Sequence, residues 1–195
     1  LGGAGRWRDS GMAGTPSAEH PRALFQAPAG ELAQVLADEI VGFDPQVIVT
    51  YDAAGTYGHP DHKRVHEISH LAIPSAAERL GHGFKVYESV TQASALAAGQ
   101  AAIDSIPDGW RRPGPGELPS YPDARVTAAV DVSDVYDAKV AALAAHATQI
   151  TVAPSGTEFA LSNAIVQPIL AVEHFVRVDA PAPVDPETDL FAGLP

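Results

Sequence analysis

The chain has 195 residues, with 24 acidic against 12 basic side chains, a formal net charge of −12 and no cysteine. That length supports one domain with a substantial core, and the acidic balance argues against partners that need a basic face, nucleic acid and anionic lipid alike. Without cysteine there are neither disulfides nor thiolate ligands, so any metal must be held by His, Asp or Glu. No apolar run approaches the ~20 residues that span a bilayer, and no leader peptide is visible, so the sequence reads as cytoplasmic.

Residues 1–30 carry Gly, Pro, Ser and charges without apolar periodicity, the pattern of a loop. In "ELAQVLADEIVGF", from Glu31, the residues Leu32, Val35, Leu36 and Ile40 recur at helical spacing, and Gly42 with Pro45 ends that helix. "QVIVTY", 46–51, is a continuous apolar and β-branched run, expected as a strand buried on both faces. After the loop "DAAGTYGH", Pro60 suits the first turn of a second helix, expected to stop near Ile73, before Pro74. "FKVYESV", 84–90, reads as a strand and the Ala-rich 91–106 as a helix. The Pro/Gly-rich segment 107–123 reads as a long loop, a candidate lid. A strand is expected at 125–132, a helix at 134–147, and over 158–178 a helix interrupted near Pro168 and followed by a short strand. The alternation points to an α/β fold, a mainly parallel Rossmann-like sheet with flanking helices over residues 1–178, followed by a loose Pro/Asp-rich tail over 179–195.

Four of the eight histidines fall in "TYGHPDHKRVHEISH", Thr56 to His70. The loop after "QVIVTY" would lie at the carboxyl end of a strand, where open α/β sheets place their sites. His59 and Asp61 then stand at the mouth of the helix and His62 in its first turn, where the helix N-terminus favours a developing anion. His62, His66 and His70 follow at i, i+4 and i+8, so adjacent members share a helical face. A His pair at i, i+4 binds zinc in HExxH, but "HKRVH" lacks the glutamate that acts as base there. His66 and His70 therefore read as ordinary helix histidines. A catalytic zinc site needs three protein ligands, more than His59 and His62 supply.

"VIVTYDAAGTYGHPDH" resembles the second metal-site motif of the LmbE-like (PIG-L) zinc-dependent N-deacetylases. "LGGAGRWRDSGMAGTP" and "KVAALAAHATQI" with "FALSNAIVQPILAVEHFVRV" extend the resemblance over about residues 1–178, toward the branch that deacetylates a glucosaminyl-inositol in mycothiol biosynthesis. The resemblance implies that His62 is a zinc ligand and that His59 stabilises the tetrahedral intermediate and serves as general acid. It implies that Asp61 orients His59 through a hydrogen bond and that Tyr57 reaches the substrate carbonyl oxygen. Asp9 and Met12 match positions near the substrate sugar, and Gln149 matches a contact at the substrate end of the pocket. Zinc is the implied metal, with iron(II) as the alternative that the same donors suit. The implied partner is a small glycosyl-inositol, with no nucleic acid and no membrane.

The family's first motif, AHPDD-E, supplies a His and an Asp to the zinc and another Asp as base; it does not occur in these 195 residues. The start at Leu1 rather than Met then points to a fragment lacking an N-terminal portion, expected to be inert, to bind zinc weakly and to aggregate when isolated. Three other readings stand beside this one: a mycothiol S-conjugate amidase, a non-catalytic sugar- or partner-binding relative, and a metal site built wholly within 59–70.

Overall fold

The computed structural model describes residues 3, 5–181 and 184–194, and divides into two compact units, Leu1–Ser89 with Val176–Pro181 and Leu190–Pro195, and Val90–Phe175 with Ala182–Asp189. In the first unit the order is α1 (Ala29–Phe43), β1 (Val47–Tyr51), α2 (Pro60–Leu80) and β2 (Lys85–Val90). Helix α1 buries Leu32 and Ile40 of the anticipated stripe together with Ala33 and Ala37, while Val35 and Leu36 are only partly buried. It ends at Asp44, which takes the left-handed conformation (φ 51°) and donates its N–H to the Ile40 carbonyl. The stripe packs on α2, whose Ile68, Ala72 and Ala76 join the same core with Phe84 and Val86. Alanines on both helices let the backbones approach closely. The full burial of Leu32 and Ile68 contributes about 1.5–3 kcal/mol each.

Strands β1 and β2 pair in parallel, Val47 with Lys85 through Tyr51 with Ser89. β1 stands at the end of its sheet, and Val49 is 49% exposed, so the expected burial on both faces is not met. Helix α2 also departs from expectation by running seven residues past Ile73, with Pro74 inside it, to Gly81 (φ 77°). Proline cannot donate to the carbonyl four residues back. Here Ala76 is fully buried, and Ala77 and Leu80 pack on the core beyond the proline, so burial outweighs the lost hydrogen bond.

The second unit holds α3 (Ala93–Ala101), β3 (Ala128–Asp131), α4 (Tyr136–Ala145), β4 (Ile150–Val152), β5 (Glu158–Leu161), β6 (Val166–Pro168) and β7 (Val172–Arg177), whose last two residues belong to the first unit. β4, β5 and β6 form an antiparallel meander, and β3 pairs antiparallel with β7. The fold is thus α/β with mixed rather than mainly parallel pairing. The interrupted helix expected from 158 is replaced by β5 and β6, while the short strand expected after it is β7. Glu158 and Ala160 are buried and Phe159 and Leu161 are not, a period of two rather than 3.6. A turn at Ala164 (φ 57°), with Ile165 N–H donating to Asn163 Oδ1, then reverses the chain. α3 meets β6 at Gly99, where an added Cβ would fall 2.7 Å from Pro168 Cγ, so the contact requires glycine.

The 107–123 segment is braced within itself and tied to the end of α3. Arg111 grips Glu117 through two bonds of 2.6 and 2.8 Å, and Arg112 donates to the Gln100 and Ile103 carbonyls. The Arg111 guanidinium, with the Gly114 N–H, holds the Glu117 carboxyl down to about 2. Along the tail, Asp179 accepts from the Val86 N–H and the Ala192 carbonyl from Lys85 Nζ, while Glu187 exchanges backbone bonds with Thr127 and Ala129.

Within the second unit His174 on β7 is buried, and that burial pushes its imidazole below the usual histidine range against the pull of Glu173 and Asp123. A depressed folded pKa means the unfolded chain binds the proton first. The contribution to stability is full above the ordinary value near 6.5 and falls as pH drops below it. Urea denaturation between pH 7.5 and 5 is expected to show that decline, with a shallower slope in His174→Gln. An unchanged slope in the variant would rule out His174 as its source.

Candidate functional site

The loop between β1 and α2 is shaped by Asp52, which is buried and accepts from the Thr56 N–H at 2.6 Å. The chain then passes through left-handed Gly55 and Thr56 (φ 69° and 61°). A Cβ at Gly55 would meet Lys63 Cγ at 2.7 Å and the His59 carbonyl at 2.8 Å, so glycine is required where the loop closes on the first helical turn.

His59 is the N-cap of α2, and its Nδ1 accepts the Asp61 backbone N–H at 3.2 Å. In the neutral ring that contact leaves the proton on Nε2, which lies 4.0 Å from Asp9 Oδ1. The expected bond from the Asp61 carboxylate to the His59 ring is not the contact found. That carboxylate accepts from the Ser10 N–H and the Ser10 hydroxyl instead, and Asp61 reaches His59 through its backbone. The reason is local: a residue two beyond the N-cap presents its N–H, not its side chain, to the capping group.

His62 stacks on Tyr51, with ring centroids 3.9 Å apart and planes 4° from parallel. Tyr57 meets His59 and His62 edge-on at 5.8 and 5.3 Å, and the two imidazoles lie 4.9 Å apart. Burial, with neighbouring His59, depresses the His62 pKa, favouring the neutral ring. Its Nδ1 is buried and makes no well-aligned hydrogen bond, while the nearby Gly55 carbonyl pulls the pKa upward against the burial. An imidazole nitrogen kept neutral and left without a well-aligned hydrogen bond is suited to a metal ion, so His62 fits the ligand role implied for it. Burial, with Tyr51 and Asp9 nearby, raises the Tyr57 pKa and keeps the phenol a hydrogen-bond donor.

The first unit therefore brings Tyr57, His59, Asp61 and His62 together, with Asp9 beside His59. Met12 lies on the neighbouring loop, 46% exposed. Gln149 belongs to the second unit, exposed on the turn before β4, with its N–H on the His146 carbonyl. His66 and His70 are not plain surface histidines: both face Glu88 on β2, and these three are the donors among the described residues grouped closely enough to hold a metal ion.

Three participants were not read from the sequence. Tyr51 looked like a strand residue, and Glu88 like an ordinary polar residue of the strand at 84–90. Ser10, fully buried, holds Asp61 with its N–H and hydroxyl while its oxygen accepts from the Phe25 N–H. Ser10→Ala leaves the Asp61 carboxylate and the Phe25 N–H short of a partner and is expected to lower stability by about 1–3 kcal/mol in urea unfolding. A loss within experimental error would show that water replaces the hydroxyl.

Among the described residues no helix is long and apolar enough to cross a membrane. No family model matches the chain. Among curated proteins, a 1D-myo-inositol 2-acetamido-2-deoxy-alpha-D-glucopyranoside deacetylase of Gordonia bronchialis is 65% identical over 196 residues, covering 100% of this chain and 69% of that protein. Proteins of the same name from Rhodococcus jostii and Mycobacteroides abscessus are 53% and 47% identical, over 98% and 100% of this chain and 70% and 69% of their own lengths. With such relatives along its length, and a histidine cluster where the HPDH segment led one to be expected, the chain belongs to the family of 1D-myo-inositol 2-acetamido-2-deoxy-alpha-D-glucopyranoside deacetylases.

Proposed function

We propose that this chain carries the oxyanion and proton-donor side of a metal-dependent amide hydrolase that removes acetate from 1D-myo-inositol 2-acetamido-2-deoxy-alpha-D-glucopyranoside. The observation that carries the reading is 65% identity, along the full chain, to a deacetylase of that name. The Nδ1 of His62, buried without a well-aligned hydrogen bond, supports it independently.

His62 would hold the metal, and the Tyr51 ring stacked on it fixes the imidazole plane. We take the metal as zinc, which when bound lowers the pKa of a coordinated water toward ~7 and polarises the amide carbonyl. Tyr57 donates its phenolic hydrogen to the oxygen that becomes negative in the tetrahedral intermediate. With Nδ1 accepting the Asp61 N–H, His59 aims its Nε2–H at the reacting centre as a hydrogen-bond donor; to protonate the departing amine it acts as the imidazolium, whose Nδ1 proton displaces the Asp61 N–H. Asp9, whose carboxylate lies beside Nε2 and accepts the Gly11 N–H, and Met12 contact the sugar. Ser10 keeps the first turn of α2 in register by holding Asp61.

The test is a chimera in which these 195 residues replace the matching segment of the Gordonia bronchialis relative. Acetate release from the glycosyl-inositol is expected, and His62→Ala is expected to abolish it. A folded chimera with no turnover, or one indifferent to His62, would overturn the reading.

A further inference from the structure

A second set of donors lies one helical turn beyond His62. His66 and His70 stand four residues apart on α2 and share a face, with ring centroids 4.2 Å apart. Glu88 arrives from β2, paired in register with Thr50. Its Oε1 lies 3.3 Å from His66 Nδ1 and 3.2 Å from His70 Nε2, and the three donor atoms all fall within 4.8 Å of one another. Two ligand atoms at ~2.0–2.1 Å from a tetrahedral zinc stand roughly 3.3–3.4 Å apart. The carboxylate oxygen therefore already keeps the spacing of a coordination shell to both imidazoles.

We propose that His66, His70 and Glu88 form a second metal site, separate from His62, for a divalent first-row transition ion of the zinc class. Two imidazoles and one carboxylate suit zinc, cobalt(II) or nickel(II). Magnesium and calcium call for oxygen shells. A helical His pair plus one carboxylate from another element gives three protein donors and leaves a fourth position for water. The Glu88 side chain is only 11% exposed and is held in place by the strand, so the site is largely preformed. The His70 side chain is 40% exposed and borders a cavity of about 150 Å³ with Ile73, Pro74 and Val178, which gives an ion access.

Without an ion, His66 Nδ1 has two neighbours, the Glu88 carboxylate and the Tyr51 carbonyl at 3.1 Å. Ion binding takes that nitrogen from both. Tyr51 also stacks its ring on His62, so one residue touches both histidine clusters. The competing account of the same contacts is that two imidazoles hydrogen-bond a nearly buried carboxylate and bind nothing. The proposal does not rest on the deacetylase reading, because none of its three donors is assigned there.

The test is calorimetric titration of the 195-residue chain with zinc, repeated with cobalt(II) to follow its visible absorption. One equivalent is expected to bind, with a cobalt band of low-coordinate nitrogen and oxygen ligation. His70→Ala and Glu88→Gln should each weaken binding at least ~10-fold, since outer-shell partners alone are worth 10- to 100-fold. His62→Ala should leave this binding in place. Thermal melting without metal checks that the variants fold, and zinc should raise the melting temperature of the parent but not of His70→Ala. No stoichiometric binding by the folded parent would overturn the site. So would binding that survives His70→Ala and Glu88→Gln but disappears in His62→Ala.

Discussion

His59→Ala in the deacetylase chimera is expected to lower kcat by roughly 10²–10⁴-fold, the range that a positioned proton donor supplies, while KM moves little. The ring is fixed by its own helix. As N-cap of α2 it uses Nδ1 for the Asp61 N–H, which leaves Nε2 as the nitrogen aimed at a leaving amine. A group that acts only when the amine departs contributes to the transition state and little to the bound ground state, hence the split between kcat and KM. Asn at position 59 retains N-capping and removes the proton donor, so His59→Asn separates chemistry from helix stability. Both variants should lose rate together, and only Ala should lose stability as well. A loss that appears in KM alone, or full activity in His59→Asn, would show that His59 only caps the helix.

The parts of the fold that a linear pattern encodes were legible beforehand. The stripe of α1, the run of β1 and the Pro60 start of α2 each follow from spacing or from one residue's backbone limits. Where packing overrode local preference, the pattern misled. Pro74 sits within α2 because the residues after it are buried, and 158–168 forms a meander because its two halves pair with each other and with the adjacent 150–152. The site divides the same way. His59 and His62 were legible because a loop, a cap and a first helical turn are contiguous. The grouping of His66 and His70 with Glu88 was not, since it depends on the parallel register that sets Glu88 opposite Thr50. One signal was present: an acidic residue in the middle of a strand that follows a helix needs a polar partner if the strand is buried, as Lys85 to Glu88 are. An i, i+4 histidine pair on the preceding helix is such a partner. Ser10 gave no comparable sign, because nothing in a Gly- and Arg-rich loop marks one serine as buried.

Metal binding and catalysis are expected to separate in the 195-residue chain, with turnover at least roughly 10⁴-fold below that of the chimera. The chain spans about 70% of the length of its relatives, and its sequence contains no AHPDD-E segment. At the His59–His62 cluster the one nitrogen without a well-aligned hydrogen bond is the Nδ1 of His62, counted among buried side chains of the described residues, and one ligand falls short of the three protein donors that hold a catalytic zinc. Each of the described carboxylates there already accepts a hydrogen bond that fixes its direction. Asp61 is occupied by Ser10, Asp52 by the Thr56 N–H, and Asp9 by the Gly11 N–H. Loss of a positioned base alone removes ~10²–10⁴ in rate, and loss of the activated water removes more. Zinc held by His66, His70 and Glu88 does not repair this, because those donors lie on the body of α2 and on β2, not on the loop and first helical turn that carry Tyr57, His59 and His62. Acetate release by equal amounts of the zinc-loaded chain and the chimera, followed side by side, decides the matter. Comparable turnover by the chain alone would mean that its own residues complete the catalytic centre, and would move the assignment of base and metal ligands from the His59–His62 cluster to the His66–His70–Glu88 cluster.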